Sequence, residues 1–391
     1  MPHDFDREVI RRGTDSTKWG SLDTLFGNSE AIPMWVADMD FESPKPVVDA
    51  LIRRAEHGVY GYGRQEPGYF ESVSHWLKKR HGWEVPNEYM LHSPGVLTGL
   101  SYLITLLTEE GDGILIQPPV YHPFAHIVEN LKRSLIANPL RQREDGTYAM
   151  DLSNLRQEAK RAKIMILCSP HNPVSRVWSQ DELEELWAIC AEHGLFVIAD
   201  EIHSDLIMPS FHHTPFASLS QAVAKQSATF IAPSKTFNLA GLQSAIAIIP
   251  DETLRERFKH VLQTYHLSSP NIFGSLALRT AYEEGEEWLD ELLPYIAANA
   301  QFAKSYLAEH APEIKATPLE GTYLLWLDCR ELGFSDEELA EFMNHKAGVA
   351  MNQGHTFGSG GSGFLRMNIA CSRAQLEEAL ERIAKAVAAR R

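Results

Sequence analysis

The sequence predicts an α/β protein built on a mainly parallel sheet, followed by a smaller α+β module at the C-terminal end. Three observations carry that prediction. Short apolar runs alternate with amphipathic helical stretches through the middle of the chain, these runs are continuous rather than alternating, and the pattern changes from about residue 286. A strand that is apolar at every position is buried on both faces, as in an open sheet covered by helices on both sides.

The first forty or so residues have little periodicity and are expected to drape across the bulk and join the smaller module. Helical spacing then covers 96–107, 180–193, 254–265 and 271–284. Strands are predicted at 114–117, 164–168, 196–199, 229–231 and 245–249. Past residue 286 a helical stretch over 287–309 precedes strand-like segments at 314–317 and 323–328. A helix over 336–346, a glycine-rich loop over 354–363, a strand over 364–370 and a final helix from Arg373 complete the chain. The loop contains Gly358, Gly360 and Gly363 in a GxGxxG spacing, but it precedes a strand instead of joining a strand to a helix. It reads as a mobile loop and not as a dinucleotide site.

Composition narrows the function. With 391 residues, 44% hydrophobic and 23% charged, the chain is long enough for a large core and two packed domains. A formal net charge of −16 argues against a nucleic-acid partner, which needs a basic face. No run reaches the roughly 18–20 apolar residues of a membrane span, and the N-terminus is acidic with no apolar leader, so the expected location is the cytoplasm. Cys168, Cys190, Cys329 and Cys371 are scattered without a CxxC pair. There is no HExxH, and the adjacent His212 and His213 would diverge on a regular element, so no metal site is expected.

The chemistry is expected where strands end. In a parallel sheet, ligands bind at the carboxyl edge. Strand 164–168 empties into Ser169-Pro-His-Asn-Pro173, strand 196–199 into Asp200-Glu-Ile-His203, and strand 229–231 leads to Ser234-Lys235. A lysine on the loop leaving a buried strand is poorly placed as a solvated charge and well placed as a nucleophilic amine, because desolvation favours its neutral form. Asp200, directly after Leu-Phe-Val-Ile-Ala, reads either as a turn or cap residue or as an anion paired with a ring-nitrogen cation. At ~4 Å and an effective dielectric of ~20 such a pair is worth about 4 kcal/mol, roughly three pKa units. Asn172, between two prolines, is a fixed amide donor. The segment from Ser93 to Gly99 opens a helix whose free amides form a phosphate site, and Tyr121 is placed to lie over a flat heterocycle.

Together these segments resemble the fold-type-I pyridoxal-phosphate enzymes, and more narrowly their cystathionine β-lyase or cysteine-S-conjugate C–S lyase branch. The likeness spans nearly the whole chain, from Pro33–Phe41 through Gly61-Tyr62, 93–97, 117–124, 171–173, 199–205 and 232–241 to 364–368. It implies a large pyridoxal-phosphate-binding domain over 46–285 with a mainly parallel sheet of seven-stranded type. A small α+β domain would follow over 286–391, with an N-terminal segment, 1–45, packing against it. It also implies roles. Lys235 carries pyridoxal 5′-phosphate as a Schiff base and shuttles protons, Asp200 pairs with the pyridine nitrogen, Asn172 bonds the ring oxygen and Tyr121 stacks on the ring. His203 belongs to the same cofactor set. The Gly95, Val96 and Leu97 amides and Ser234 hold phosphate, and Tyr62 (with Tyr60 as its neighbour) reaches the phosphate of a dimer partner. Arg366 forks onto the substrate carboxylate, while Tyr323, Trp35, Val36 and Ala37 line the substrate pocket beside Tyr121 and Asn172. Many aminotransferases carry a phosphate-binding serine and arginine where this chain has Ala232 and Gln243, which shifts phosphate binding onto the remaining donors.

The reaction that follows is α,β-elimination from an L-amino acid bearing sulfur at Cβ, giving a thiol, pyruvate and ammonia. An aminotransferase using the same residues is the nearest rival. A regulatory protein that binds the cofactor without turnover is the rival from another class.

Overall fold

Seven strands, most of them apolar along the greater part of their length, form the central sheet: β1 (Met90–Ser93), β2 (Gly113–Ile116), β3 (Ser134–Ala137), β4 (Ala162–Cys168), β5 (Phe196–Asp200), β6 (Ser227–Ile231) and β7 (Ala245–Ile248). Their order is β1-β7-β6-β5-β4-β2-β3. The structure is a computed structural model that describes residues 3–64 and 66–391, so the first two residues of the expected N-terminal segment lie outside it. Strands β2 to β6 pair in parallel, as their unbroken apolarity predicts. By contrast, β7 runs antiparallel to both β6 and β1. Apolarity reports burial and not direction. The 232–244 connection holds only short helical turns, Pro233–Thr236 and Ala240–Leu242, so it turns the chain back without crossing the sheet. Strands β1 and β3 escaped the pattern: β3 is an edge strand with three of four residues exposed, and half of β1 is polar, His92 and Ser93.

Helices cover both faces. Val96–Leu107 packs on β6 so closely that a Cβ on Gly99 would lie 2.3 Å from Phe230. Gln180–His193 starts from a capping box in which the Ser179 hydroxyl and the Glu182 carboxylate satisfy each other's backbone amides.

The C-terminal module is a four-stranded antiparallel sheet, β8 (Lys315–Ala316), β9 (Leu324–Asp328), β10 (Asn352–Gln353) and β11 (Phe364–Asn368), in the order β8-β9-β11-β10. The long helix Glu286–His310 and the final helix Arg373–Ala388 pack together beside it. The helix expected over 336–346 is α-helical only for Asp336–Glu341 and widens to a π-helix over Phe342–Ala347. The glycine-rich loop is packed, contrary to the expectation of a mobile one. The Gly354 and Gly361 backbones touch where a Cβ on either would lie about 2 Å from the other's carbonyl, and Phe357 O accepts from Val120 N at 2.9 Å. Without side chains, two stretches of backbone close on each other.

Residues 32–34 and 40 make main-chain contacts with this module. Ile32–Pro33 pairs in parallel with Val349–Ala350, Met34 O accepts from Asn368 N at 2.8 Å, and Asp40 N donates to Ala370 O at 2.9 Å. Beneath it, Lys18 is fully buried and bonds Asp40 at 2.7 Å, while Arg11 forks onto Asp38 at 2.9 and 2.7 Å. Pairing of this kind offsets the cost of taking such charges out of water.

Among the described residues no helix is long and apolar enough to cross a membrane, and no cluster of three or more His, Cys, Asp or Glu is placed to hold a metal. Gly99→Ala is expected to lose about 1–3 kcal/mol of stability through overpacking against Phe230 and Ser93, read as a lower urea midpoint. An unchanged midpoint would show that the helix moves freely off the sheet.

Candidate active site

The parallel register sets three strand ends side by side. Cys168 pairs with Asp200, and Asp200 with Phe230. The loops that leave them therefore deliver Asn172, Asp200 and Lys235 to one edge. Strand β1 ends at the same edge with Ser93. Because β7 is antiparallel, it brings its beginning there, with Gln243 and Ser244. The result is a cavity of about 330 Å³ lined by Gly95, Val96, Leu97, Tyr121, Asn172, Asp200, His203, Ser234 and Lys235 among others.

Lys235 lies in the single helical turn Pro233–Thr236 that follows β6. Its Nζ donates to Ala37 O at 2.6 Å. Burial pulls the amine down to about 8, with Arg366 adding to the effect and Asp38 and Asp200 opposing it. The neutral, nucleophilic form is thus accessible near physiological pH.

Two further charges are buried without an ion partner. Asp200 is 4% exposed, accepts only the Ile202 amide at 3.1 Å, and is pushed by burial up to about 7. Arg366, on β11 and 3% exposed, is drawn by burial down to about 10. Its guanidinium bonds Asn172 Oδ1 at 2.9 Å, Trp35 O at 2.8 Å and Asn352 Oδ1 at 2.7 Å, lies over the Phe357 ring at 5.0 Å, and leaves Nε without an acceptor. No carboxylate touches this arginine and no cation touches Asp200 among the described residues. Arg366 is not itself in the cavity wall but bonds Asn172, which is, so an uncompensated guanidinium and an uncompensated carboxylate lie around the same cavity.

At another part of the wall, Gly95 caps the helix Val96–Leu107 in extended backbone and leaves the first-turn amides free. Ser234, Thr98, Gln243 and Ser244 stand around them. Tyr121 is half-buried, its ring edge-on to Phe124 at 5.6 Å, and burial raises its phenol. His203 is buried against Tyr323 at 5.9 Å, and burial, with Lys235 and Arg366 nearby, holds its imidazole well below the ordinary value.

Not every expected residue meets the cavity directly. Ala37 lines it, but Trp35 and Val36 do not. The Trp35 ring packs on Phe26 and donates to Lys18 O, so Trp35 and Val36 act through their carbonyls, which bond Arg366 and Asn368. Tyr323 stands behind the wall with its hydroxyl on Ala37 O at 2.9 Å. Tyr62 lies elsewhere, fully exposed beside Arg54, Arg64 and Arg279. Tyr60 is tied back to its own chain, its hydroxyl on Ala55 O at 2.7 Å and its ring near Phe273.

Sequence reasoning missed Thr98, Ser244, Asp38, Asn352 and Asn368, and treated Gln243 only as a lost arginine. Thr98, Asp38 and Asn368 sit inside segments already singled out, and Gln243 was reached by its spacing from Lys235, so for these a signal was usable. Ser244 and Asn352 are placed by pairing between distant segments and carry no local mark.

The donor set fits pyridoxal 5′-phosphate: an amine for its aldehyde, a buried anion for its ring nitrogen, and free helix amides with hydroxyls for its phosphate.

Comparison with known proteins agrees. The sequence model of aminotransferase class I and II matches residues 30–383. The chain is 44% identical over 385 residues to the cystathionine beta-lyase PatB of Bacillus subtilis (strain 168), covering 98% of this chain and 99% of that protein. Its structure resembles cystalysin from Treponema denticola, which contains a pyridoxal 5′-phosphate cofactor, with a TM-score of 0.97, 35% identity and full coverage of both chains. It also resembles the PLP-bound C–S lyase from Staphylococcus hominis, with a TM-score of 0.92, 31% identity, and 99% of this chain and 98% of that one covered.

The shifted Asp200 makes a pH prediction. Its folded value of about 7 exceeds the ordinary 3.8, so the folded chain binds more protons between those values and the residue's contribution to stability falls as pH rises through them. Asparagine cannot ionise. The Asp200→Asn apoprotein should therefore gain stability over wild type as pH rises from 4 to 8, by up to about 4 kcal/mol in urea denaturation. A pH-independent difference would show that the carboxylate is not strained by burial.

Proposed function

The chain belongs to the class I and II aminotransferase family, and from that premise we propose that it is a pyridoxal 5′-phosphate-dependent carbon–sulfur β-lyase. It performs α,β-elimination on L-cystathionine or another cysteine S-conjugate and, with one water, yields a thiol, pyruvate and ammonia. The observation that carries the reading is the convergence of a destabilised lysine ammonium, an uncompensated buried carboxylate and an uncompensated buried guanidinium on one site. Sulfur at Cβ is supported by the cystathionine beta-lyase that shares 44% of its residues with this chain.

Each residue has a task in that reaction. When bound, the cofactor supplies an aldehyde for amine capture and a cationic ring that withdraws the electron pair left at Cα. Asp200 would pair with the ring nitrogen and keep it protonated, Asn172 would donate to the ring oxygen and Tyr121 would cover the ring. His203 completes this cofactor wall. The Gly95, Val96 and Leu97 amides and Ser234 hold the phosphate, with Thr98 and Gln243 beside them. Arg366 receives the substrate α-carboxylate, its two outer nitrogens already oriented by Asn172, Asn352 and Trp35 O. That clamp aims the Cα–H bond at Lys235 Nζ. Lys235 would take the Cα proton and hold it on Nζ, with Ala37 O in reach. Tyr323 fixes that carbonyl from the other side.

In a homodimer Tyr62 reaches the neighbouring phosphate. Its full exposure supports this role over Tyr60, whose hydroxyl is already engaged. Cytoplasmic location suits a chain whose four cysteines are all buried and free.

Incubating the loaded protein with L-cystathionine should release pyruvate and free thiol. Glutamate formation from 2-oxoglutarate without thiol release would replace this reading with transamination. Lys235→Ala should lower elimination by at least about 10²–10⁴-fold. Arg366→Lys, which keeps charge but loses the fork, should raise KM for the amino acid about tenfold or more; an unchanged KM would remove Arg366 from carboxylate binding.

A further inference from the structure

Directly behind the cavity wall lies a cluster of titratable groups that the proposed chemistry leaves without a task. Asp205 is 6% exposed, Glu201 1% and His213 2%. Asp205 Oδ1 accepts from Trp76 Nε1 at 2.9 Å and bonds His81 Nε2 at 2.8 Å, while Oδ2 accepts from Thr236 Oγ1 at 2.8 Å. The His81 ring meets that of His213 edge-on at 5.4 Å, and His213 Nε2 lies 3.1 Å from Glu201 Oε2. The cluster starts one residue after Asp200 and ends one residue after Lys235.

That placement is specific. Trp76, Phe237 and Tyr282 pack together around this region, so an apolar side chain would fill the position of Asp205 without the desolvation penalty of a carboxylate. The carboxylate instead gathers partners from separate elements. Trp76 and His81 lie on the helix Tyr69–His81, and Thr236 ends the turn that carries Lys235. The same turn is held a second time, two residues on. Asn238, in left-handed backbone at φ 58°, bonds Met39 N, Met39 O and Phe41 O. The Lys235 turn is thus fixed from the N-terminal segment by Asn238 and from the protein interior by Asp205. Reacting groups need placement to a fraction of an ångström, which one hydrogen bond to a four-residue turn can decide.

We propose that Asp205 is a positioning residue for Lys235: through Thr236 Oγ1 it fixes the turn so that Nζ addresses the cavity, and His81 completes the hydrogen bonding of the carboxylate. This rests on the reading of Lys235 as the amine that takes the cofactor and moves the Cα proton.

The test uses the full-length protein and the series Thr236→Val, Thr236→Ser and Thr236→Ala, the last leaving room for water on Asp205. Two quantities are followed: the kcat and KM for elimination from cystathionine, and the rate at which pyridoxal 5′-phosphate is trapped on Lys235 of the apoprotein by borohydride, mapped by peptide mass. Thr236→Val and Thr236→Ala should lower kcat about 10–100-fold with KM within about twofold, and slow trapping about tenfold. Thr236→Ser should restore both to within about threefold of wild type. Unchanged kcat and trapping in whichever of Val and Ala folds would overturn the proposal, as would a serine variant as impaired as they are. An active Thr236→Val beside an inactive Lys235→Ala removes only the positioning role, whereas an active Lys235→Ala removes the reading of the amine itself.

Discussion

Two buried charges of opposite sign, Asp200 and Arg366, remain unpaired in one site, and the architecture prevents them from neutralising each other. Each is anchored where it cannot swing away. Asp200 terminates a strand buried in the seven-stranded sheet, and Arg366 sits mid-strand in the four-stranded sheet, held by two asparagine oxygens and a main-chain carbonyl. A protein selected for stability alone would pair or replace such groups, because desolvating a lone charge is unfavourable. Keeping both stores an electrostatic demand that a zwitterionic ligand and a cationic heterocycle satisfy. The destabilised amine of Lys235 stands within the field of both, which lower and raise its proton affinity in opposite senses.

The N-terminal segment ties this arrangement together. Consecutive carbonyls from Trp35 to Met39 accept from Arg366, Asn368, Lys235, Tyr323 and Asn238, so side chains from both sheets converge on a few peptide units. The segment itself is fixed by Arg11 and Lys18 against Asp38 and Asp40. Short-range polar geometry in the site therefore depends on an ion-pair cluster on its far side, in a stretch with almost no hydrophobic periodicity.

What the sequence disclosed follows the range of the interactions involved. Asn172, Asp200 and Lys235 were legible because each follows an apolar strand, and parallel pairing does the rest. The sheet itself was legible through unbroken apolar runs, yet the reversed direction of β7 was not, since a strand buried on both faces looks the same either way. That reversal is what places Gln243 and Ser244 at the site edge. The roles of Asn352 and Asn368 were hidden because they come from pairing with Arg366 or with the 36–38 carbonyls, at separations no local pattern encodes. The packed glycine loop was misjudged for a related reason: glycine content signals conformational freedom in an isolated chain, and here that freedom is used to let two backbones touch.

The position of β11 near the end of the chain bears on biosynthesis. Asp200 and Lys235 leave the ribosome long before Arg366, whose contacts with Trp35 and Asn172 close loops of 331 and 194 residues. The last partner that Trp35 and Asn172 acquire is thus also the last to emerge, and the polar network around them stays incomplete until β11 has been translated and docked.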